Sequence, residues 1–246
     1  MRGLECRRKE KKMRIDLKPG ALTAPLPPVL VTVGDGEKSN IITIGWTGIL
    51  STLPPRTYIS VRPERYSYGI LKEKMEFVIN LTTESMAWAV DYAGIYTGAK
   101  VDKWRECSLT PVKSKCVSAP TVAESPLSLE CKVTEIIPSG THDIFVADIV
   151  SVSCDESILD GNGRIELDRA RLLAYAHGEY FALGEKLGKF GFSTDKKKTK
   201  DAKTATRVAQ NAVKKKEAPA LKKDAEEKKP FYVTAPGYRK KRGNKK

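Results

Sequence analysis

Short apolar runs separated by turn residues dominate the first 150 positions of this chain. The run Val-Leu-Val-Thr-Val at 29–33 is β-branched, and Gly34-Asp35-Gly36 separates it from Asn40-Ile41-Ile42-Thr43-Ile44. Branched Cβ atoms suit a pleated surface, so two such runs across a glycine turn predict a hairpin. Tyr58 to Val61, Phe77 to Leu81, Leu127 to Ile137 and Ile144 to Val152 have the same character, with Pro138-Ser139-Gly140 the expected turn between the last two. Helical patterning is confined to Ser67 to Lys74, Glu84 to Ile95 and Leu167 to Ala170. At least six closely spaced strands, with no regular alternation of helices, predict a mainly β barrel or closed sheet and argue against a parallel α/β fold.

That pattern ends near Ser193. Residues 195–246 carry 19 Lys and Arg against 6 Asp and Glu, which is +13 of the chain's +14. Too few apolar residues remain there to offset the entropy of ordering, and Pro219 interrupts the one Ala-rich stretch, so the expectation is a disordered Lys-rich tail. Residues 1–12 read as a disordered basic leader, with Met13 a candidate initiator. Between them, 13–194 suffices for a single, nearly neutral domain with a sizeable core. No stretch of about 18 apolar residues marks a membrane span, and no apolar segment follows the charged N-terminus; the expected location is the cytoplasm. Five cysteines without a C-x-x-C pair, beside only two histidines, read as reduced and mostly buried thiols and not as a metal site.

Candidate chemistry is concentrated in residues 43–68. Trp46, Thr47 and Gly48, read as a hydroxyl-rich turn, offer an aromatic plane, a hydroxyl and a backbone N–H without a side chain in the way. Arg62 and Arg65 flank Pro63, followed by Tyr66, Ser67 and Tyr68. Guanidinium forks take phosphate in a two-pronged way, and a helix opening near Ser67 would add backbone N–H groups, which points to a phosphate-bearing ligand. A solvated turn capping a helix is the alternative for the arginines, and a core tryptophan for Trp46. No G-x-G-x-x-G turn follows a strand, so no Rossmann dinucleotide site is expected.

Motifs in order along the chain include Ser39-Asn40-Ile41, Gly45-Trp46-Thr47-Gly48, Pro54-Pro55, Ser60-Val61-Arg62-Pro63-Glu64-Arg65-Tyr66-Ser67-Tyr68 and Phe77-Val78-Ile79-Asn80-Leu81-Thr82. Val101-Asp102-Lys103-Trp104, Leu129-Glu130-Cys131-Lys132-Val133, Gly140-Thr141-His142-Asp143 and His177-Gly178-Glu179-Tyr180-Phe181 follow. In these the chain resembles the flavin reductase-like proteins with an FMN-binding split barrel, and within them the flavoredoxin branch, from about Pro25 to Ser193. The resemblance implies an antiparallel Greek-key split barrel with a few covering helices, usually a homodimer with the flavin near the subunit interface. It also implies FMN as cofactor, with the turn at Ser60, Arg62, Arg65, Tyr66 and Ser67 meeting its phosphate.

Further expectations follow from the same likeness. Trp46, Thr47 and Gly48 would face the isoalloxazine, Asn80 and Thr82 would reach ribityl hydroxyls or ring edges, and Lys103 would lie near the flavin N1 and O2. His142 and His177 would orient a nicotinamide or shuttle a proton to N5, against the alternative of structural histidines. For Asn80 and Thr82 the competing reading is an ordinary strand-end hydrogen bond, and for Lys103 a solvated loop. The implied function is an FMN-binding oxidoreductase taking electrons from NAD(P)H and passing them to flavin, a metal complex or a protein. An FMN carrier without NAD(P)H activity is the alternative. The basic tail, which exceeds the family pattern, would make a weak polyanion contact or dock an acidic redox partner; a nucleic-acid-associated protein with a passive barrel is the third reading.

Overall fold

Every residue of Val29–Val33 is buried, which a strand with one wet face cannot achieve. In the computed structural model, which describes residues 14–194, the reason is that this strand, β1, has a core on each side. Val29, Val31 and Val33 point into the barrel with Phe77, Ile59 and Phe145, while Leu30 points outward into a second core with Val90, Ala93 and Ile41. The leader at 1–12 and the tail at 195–246 lie outside the described residues.

The chain continues through β2 (Asn40–Ile44), β3 (Thr47–Thr52), β4 (Pro55–Val61), helix α1 (Tyr66–Lys74), β5 (Glu76–Asn80) and helix α2 (Ala87–Ile95). After α3 (Lys103–Glu106) come the short β6 (Pro111–Val112) and β7 (Thr121–Val122), the long β8 (Leu127–Ser139) and β9 (His142–Cys154), and the hairpin of β10 (Leu173–Ala176) and β11 (Glu179–Ala182). Seven strands form an antiparallel sheet in the order β2-β1-β5-β8-β9-β4-β3. Strands β2 and β3 stand at opposite edges of that order, yet only Gly45 and Trp46 separate them in the chain. Two residues cannot cross a flat sheet, so the sheet must curl until its edges meet. A seam results at Gly45-Trp46, where the β3–β4 ladder continues as the Ser60 N–H donates to the Trp46 carbonyl at 2.9 Å. Helix α2 covers the outside of β1 and β2. Residues 187–246 form a separate unit, of which 187–194 are described and carry one 3-10 turn at Phe192–Thr194.

Several expectations need correction. Trp46-Thr47-Gly48 is no free turn, because Thr47 already pairs with Ile59 and opens β3. Pro138 and Ser139 belong to β8, paired with Asp143 and His142, and the turn is Gly140-Thr141, with Gly140 at φ 64°. Residues 84–95 split into a 3-10 turn at Glu84–Met86 and helix α2, and Leu167–Ala170 is 3-10. The β10–β11 hairpin, which propensity did not reveal, turns at His177-Gly178, both with positive φ as a two-residue reverse turn requires. Of the cysteines, Cys107 and Cys131 are buried as expected, but Cys116 is exposed. Burial pushes the Cys131 thiol up to about 12, which keeps it unreactive.

Glu130, on β8, is a carboxylate with almost no exposure. Its Oε1 accepts from the Lys115 N–H at 3.0 Å and its Oε2 from the Cys116 N–H at 2.5 Å, so it holds the loop that lays Val117 and Ala119 on Val78. Replacing Glu130 by alanine removes both acceptors and is expected to cost roughly 2 kcal/mol, read as a lower urea midpoint. An unchanged midpoint would mean that the loop is held by packing alone.

Candidate functional site

At the seam two small grooves adjoin. One, of about 100 Å³, is bordered by Gly45, Trp46, Ser60, Arg62 and His142. The other, of about 90 Å³, is bordered by Asn40, Tyr66, Ser67, Tyr96, Gly98 and Lys103. Ile42 and Arg65 line both, so the two form one continuous trough from Trp46 to Lys103.

The second groove brings cations to a helix start. Helix α1 begins there with Arg65 at its N-cap, no capping side chain and no acidic residue in its first turn. Its leading N–H groups therefore keep the partial positive charge of a helix start. Among the described residues neither Arg62 nor Arg65 has an ion-pair partner, although Glu64 borders the same groove. Arg65 Nη1 donates to the Gly94 carbonyl at 3.0 Å, and Lys103 Nζ donates to the carbonyls of Ala93 at 2.7 Å and Ile41 at 2.8 Å. Helix α2 has no basic residue of its own in its last turn, so these two cations satisfy its terminal carbonyls from outside. An ammonium has three protons; one of those of Lys103 goes to α2 at Ala93 and one to β2 at Ile41.

Lys103 is thus not the solvated loop lysine of the alternative reading. It opens α3, whose N-cap Asp102 accepts from the N–H groups of Trp104 and Arg105, and it is only 4% exposed. Burial and then the neighbouring Arg65 charge push its pKa down to about 8. It also lies with Ser67 and Arg65, at the opposite end of the trough from Trp46.

Ser67 is fully buried, and its hydroxyl accepts from Asn40 Nδ2 at 2.7 Å, so it supports the groove floor. Asn40 in turn lies against Gly98, where a Cβ would come within 2.1 Å of its Oδ1. Asn40 and Gly98 are site residues that sequence reasoning did not select. The Ser39-Asn40 motif was visible, but its contact with position 98 is set by tertiary packing alone.

In the first groove Trp46, 44% exposed, stacks on His142 with ring centroids 6.1 Å apart and planes 12° apart. The Tyr68 hydroxyl donates to the Asp143 carboxylate, tying α1 to β9 beside that histidine. Burial, followed by the Arg62 charge, holds the His142 pKa below its usual value, which favours the neutral imidazole.

The remaining candidates fall elsewhere. The Thr47 hydroxyl donates to the Tyr58 carbonyl at 2.6 Å, and the open face of Gly48 is filled by the Tyr58 ring, 3.2 Å from where a Cβ would stand. Close approach at Gly48 is by a cross-strand tyrosine, so Trp46 alone of that trio borders the trough. Asn80 is fully buried, donating to the Leu30 carbonyl and accepting from Val122 N–H and Ser128 Oγ. Thr82 donates to the Pro28 carbonyl at 2.5 Å. Both make hydrogen bonds within the core and border neither groove. His177 occupies the exposed β10–β11 turn and borders neither groove.

Residues 22–184 match the family model described as a flavin reductase like domain. The fold is similar to that of flavoredoxin from Desulfovibrio vulgaris (Miyazaki F), with a TM-score of 0.68 and 34% identity over 73% of this chain and 98% of that one. A similar likeness, TM-score 0.60 at 26% identity, covers 73% of this chain and 98% of an FMN-binding protein from Thermus thermophilus solved with 1-cyclohex-2-enone. An NADPH-flavin oxidoreductase of Streptomyces viridifaciens is 27% identical over 147 residues, 58% of this chain and 70% of that protein. Among the described residues no helix is long and apolar enough to cross a membrane. With its antiparallel barrel and a family match spanning most of the described residues, the chain belongs to the flavin reductase-like family of flavoprotein oxidoreductases.

Proposed function

We propose that the trough holds FMN and that the chain is an FMN-dependent oxidoreductase reduced by NAD(P)H. The observation that carries this reading is the joining, through Ile42 and Arg65, of an anion-binding groove at the start of α1 to a second groove walled by Trp46 and His142. A phosphate fits the first: uncapped helix N–H groups, the guanidinium of Arg65 and the spare proton of Lys103 converge there, and Gly98 leaves room for Asn40 on the groove wall. This reading moves Lys103 from the ring end, where the resemblance had put it, to the phosphate end. Trp46, Ser60 and Arg62 would border the isoalloxazine, with the backbone of Gly45 free to approach closely, since a side chain there would meet open space.

Bound FMN supplies two-electron acceptance and release; the protein positions. In its neutral form, which its surroundings favour, His142 beside Arg62 can accept a hydrogen bond or relay a proton without adding charge to the trough. Hydride transfer itself needs alignment of two rings at close range more than a protein acid or base. Arg62, exposed and without an ion-pair partner among the described residues, is positioned to attract an anionic nicotinamide nucleotide. A homodimer is part of the proposal, and the apolar Ile49, Leu50 and Leu53 exposed on the β3–β4 hairpin support it.

Likeness to a flavoredoxin supports the second reading, a carrier reduced by another protein. An absorption spectrum of the purified protein, repeated anaerobically with NADH and then NADPH, separates the two. Flavin bands that bleach with either nucleotide are the expected result. Bands that persist would establish the carrier, and no bands after incubation with FMN would sink both.

A further inference from the structure

Two contacts hold the His142 ring, and each fixes something different. Stacking on Trp46, with planes 12° apart, sets the plane of the imidazole. A half-turn of the ring about its Cβ–Cγ bond leaves that plane unchanged, so the stack does not decide which edge carries Nδ1 and which Nε2. Thr141 supplies that choice, because its Oγ1 lies 2.9 Å from His142 Nδ1. The turn puts it there. Gly140, at φ 64°, and Thr141 are the two residues between Ser139 and His142, which pair across β8 and β9. A glycine with positive φ in the first place is a pattern of tight hairpin turns, and it leaves the second residue beside the start of the returning strand. Thr141 is exposed and makes no other side-chain hydrogen bond among the described residues, so its hydroxyl proton can go to the imidazole.

We propose that Thr141 is a positioning residue: by donating to His142 Nδ1 it selects one ring orientation and one tautomer, and leaves Nε2–H as a hydrogen-bond donor on the groove that His142 lines. This rests on the reading that FMN lies in the trough and accepts a hydride there. In a neutral imidazole one nitrogen carries the proton and the other a lone pair, and the bond made by the first decides the role of the second. The surroundings of His142 favour that neutral form. Burial and the guanidiniums of Arg62 and Arg65 oppose a further positive charge, against the carboxylate of Glu64, while the adjacent Asp143 is engaged by the Tyr68 hydroxyl. Donor and acceptor would serve different ligand atoms. Nε2–H can bond a ring nitrogen or carbonyl oxygen of an oxidised flavin, whereas a bare Nε2 would meet those atoms lone pair to lone pair. Such a donor also favours arrival of a hydride, since its bond strengthens as negative charge develops on the acceptor.

The test reads the tautomer directly. The chain has only two histidines, so the imidazole nitrogen NMR shifts of the flavin-free, full-length protein can be assigned by comparison with His177→Asn, a residue that tolerates the positive φ of that turn. At neutral pH His142 is expected to show an unprotonated Nδ1 and a protonated Nε2. Thr141→Val, which keeps the branched shape and removes the hydroxyl, is expected to mix the tautomers. It should also slow reduction of bound flavin about fivefold at saturating NADH or NADPH, whichever bleaches the wild type, as loss of one ordinary hydrogen bond predicts. Its FMN dissociation constant should change less than about twofold, and Thr141→Ser should restore both the shifts and the rate. A protonated Nδ1 in the wild type, or unchanged shifts or an unchanged rate in Thr141→Val, would overturn the proposal. So would a slow rate that serine does not restore, which would make the threonine methyl the working group. A wild type that binds no FMN, or whose flavin neither nucleotide bleaches, would instead count against the reading of the trough, while the shifts of the flavin-free protein still decide whether Thr141 sets the tautomer.

Discussion

Replacing Lys103 by methionine is expected to weaken FMN by a factor on the order of a hundred near pH 7, since one hydrogen bond to a charged group contributes about 1.5–3 kcal/mol. Methionine keeps the length of the buried stem but supplies no proton to the phosphate, and it leaves the carbonyls of Ile41 and Ala93 without their donor. The same lysine predicts two opposite responses to alkali. In the folded protein its pKa is about 8, below the 10.5 of a free lysine. Between those values the unfolded chain holds a proton that the folded chain has released, so stability of the flavin-free protein rises with pH across that window. Below about pH 8 the group is charged in both states, and the cost of burying that charge is fully present. Flavin binding runs the other way, because only the ammonium attracts phosphate. Affinity is expected to fall by up to about tenfold per pH unit above 8 in the wild type and to be flat there in Lys103→Met. Titrations from pH 7 to 9.5 on both proteins check this; a wild-type affinity that does not change would remove Lys103 from the phosphate site.

Gly98→Ala is expected to disable the same groove from its other wall. The added methyl would stand 2.1 Å from Asn40 Oδ1 and 2.6 Å from its Cγ, far inside contact distance. Asn40 is short, buried and bonded to Ser67, so it cannot swing aside without breaking that hydrogen bond. Relief by moving the backbone typically costs about 1–3 kcal/mol. The expected signature is a melting temperature lower by several degrees together with a flavin affinity at least about tenfold weaker, because the floor beneath the phosphate is displaced. Asn40→Ala in the Gly98→Ala background removes the clash and should recover stability but not affinity. A double variant that recovered neither would place the damage in the backbone of the turn. Full affinity in Gly98→Ala alone would show that the phosphate does not use this groove.

Strands were legible wherever burial is two-sided. Val29–Val33 and Asn40–Ile44 are seen with the boundaries that their β-branched runs predict, because a strand covered on both faces has no polar position to blur its ends. The Arg62–Tyr66 turn was legible for a local reason as well: cations, a proline and hydroxyls within a few residues share one helix start whatever the rest of the fold does. Strand β3 was missed because Thr47-Gly48-Ile49-Leu50 looks like a turn running into an exposed stretch, and it is an edge strand with half its residues in solvent.

What the sequence alone determined was therefore local: the β1–β2 and β8–β9 hairpins, the mainly β class, the family likeness and the cationic turn. Tertiary structure decided which of the polar candidates border the trough. Asn80 and Thr82 are polar at a strand end, yet the closed sheet carries them inward, where carbonyls of Leu30 and Pro28 take their protons. Gly48 is open in the chain but covered by Tyr58 from the next strand, and the Cβ space of Gly98 is filled by Asn40, 58 positions earlier. Lys103 reads as a loop cation, and only the meeting of β2, α2 and α3 buries it and shifts its proton affinity. Desolvation and steric exclusion depend on what surrounds a group in space, and in a barrel closed by a two-residue seam those surroundings come from distant parts of the chain.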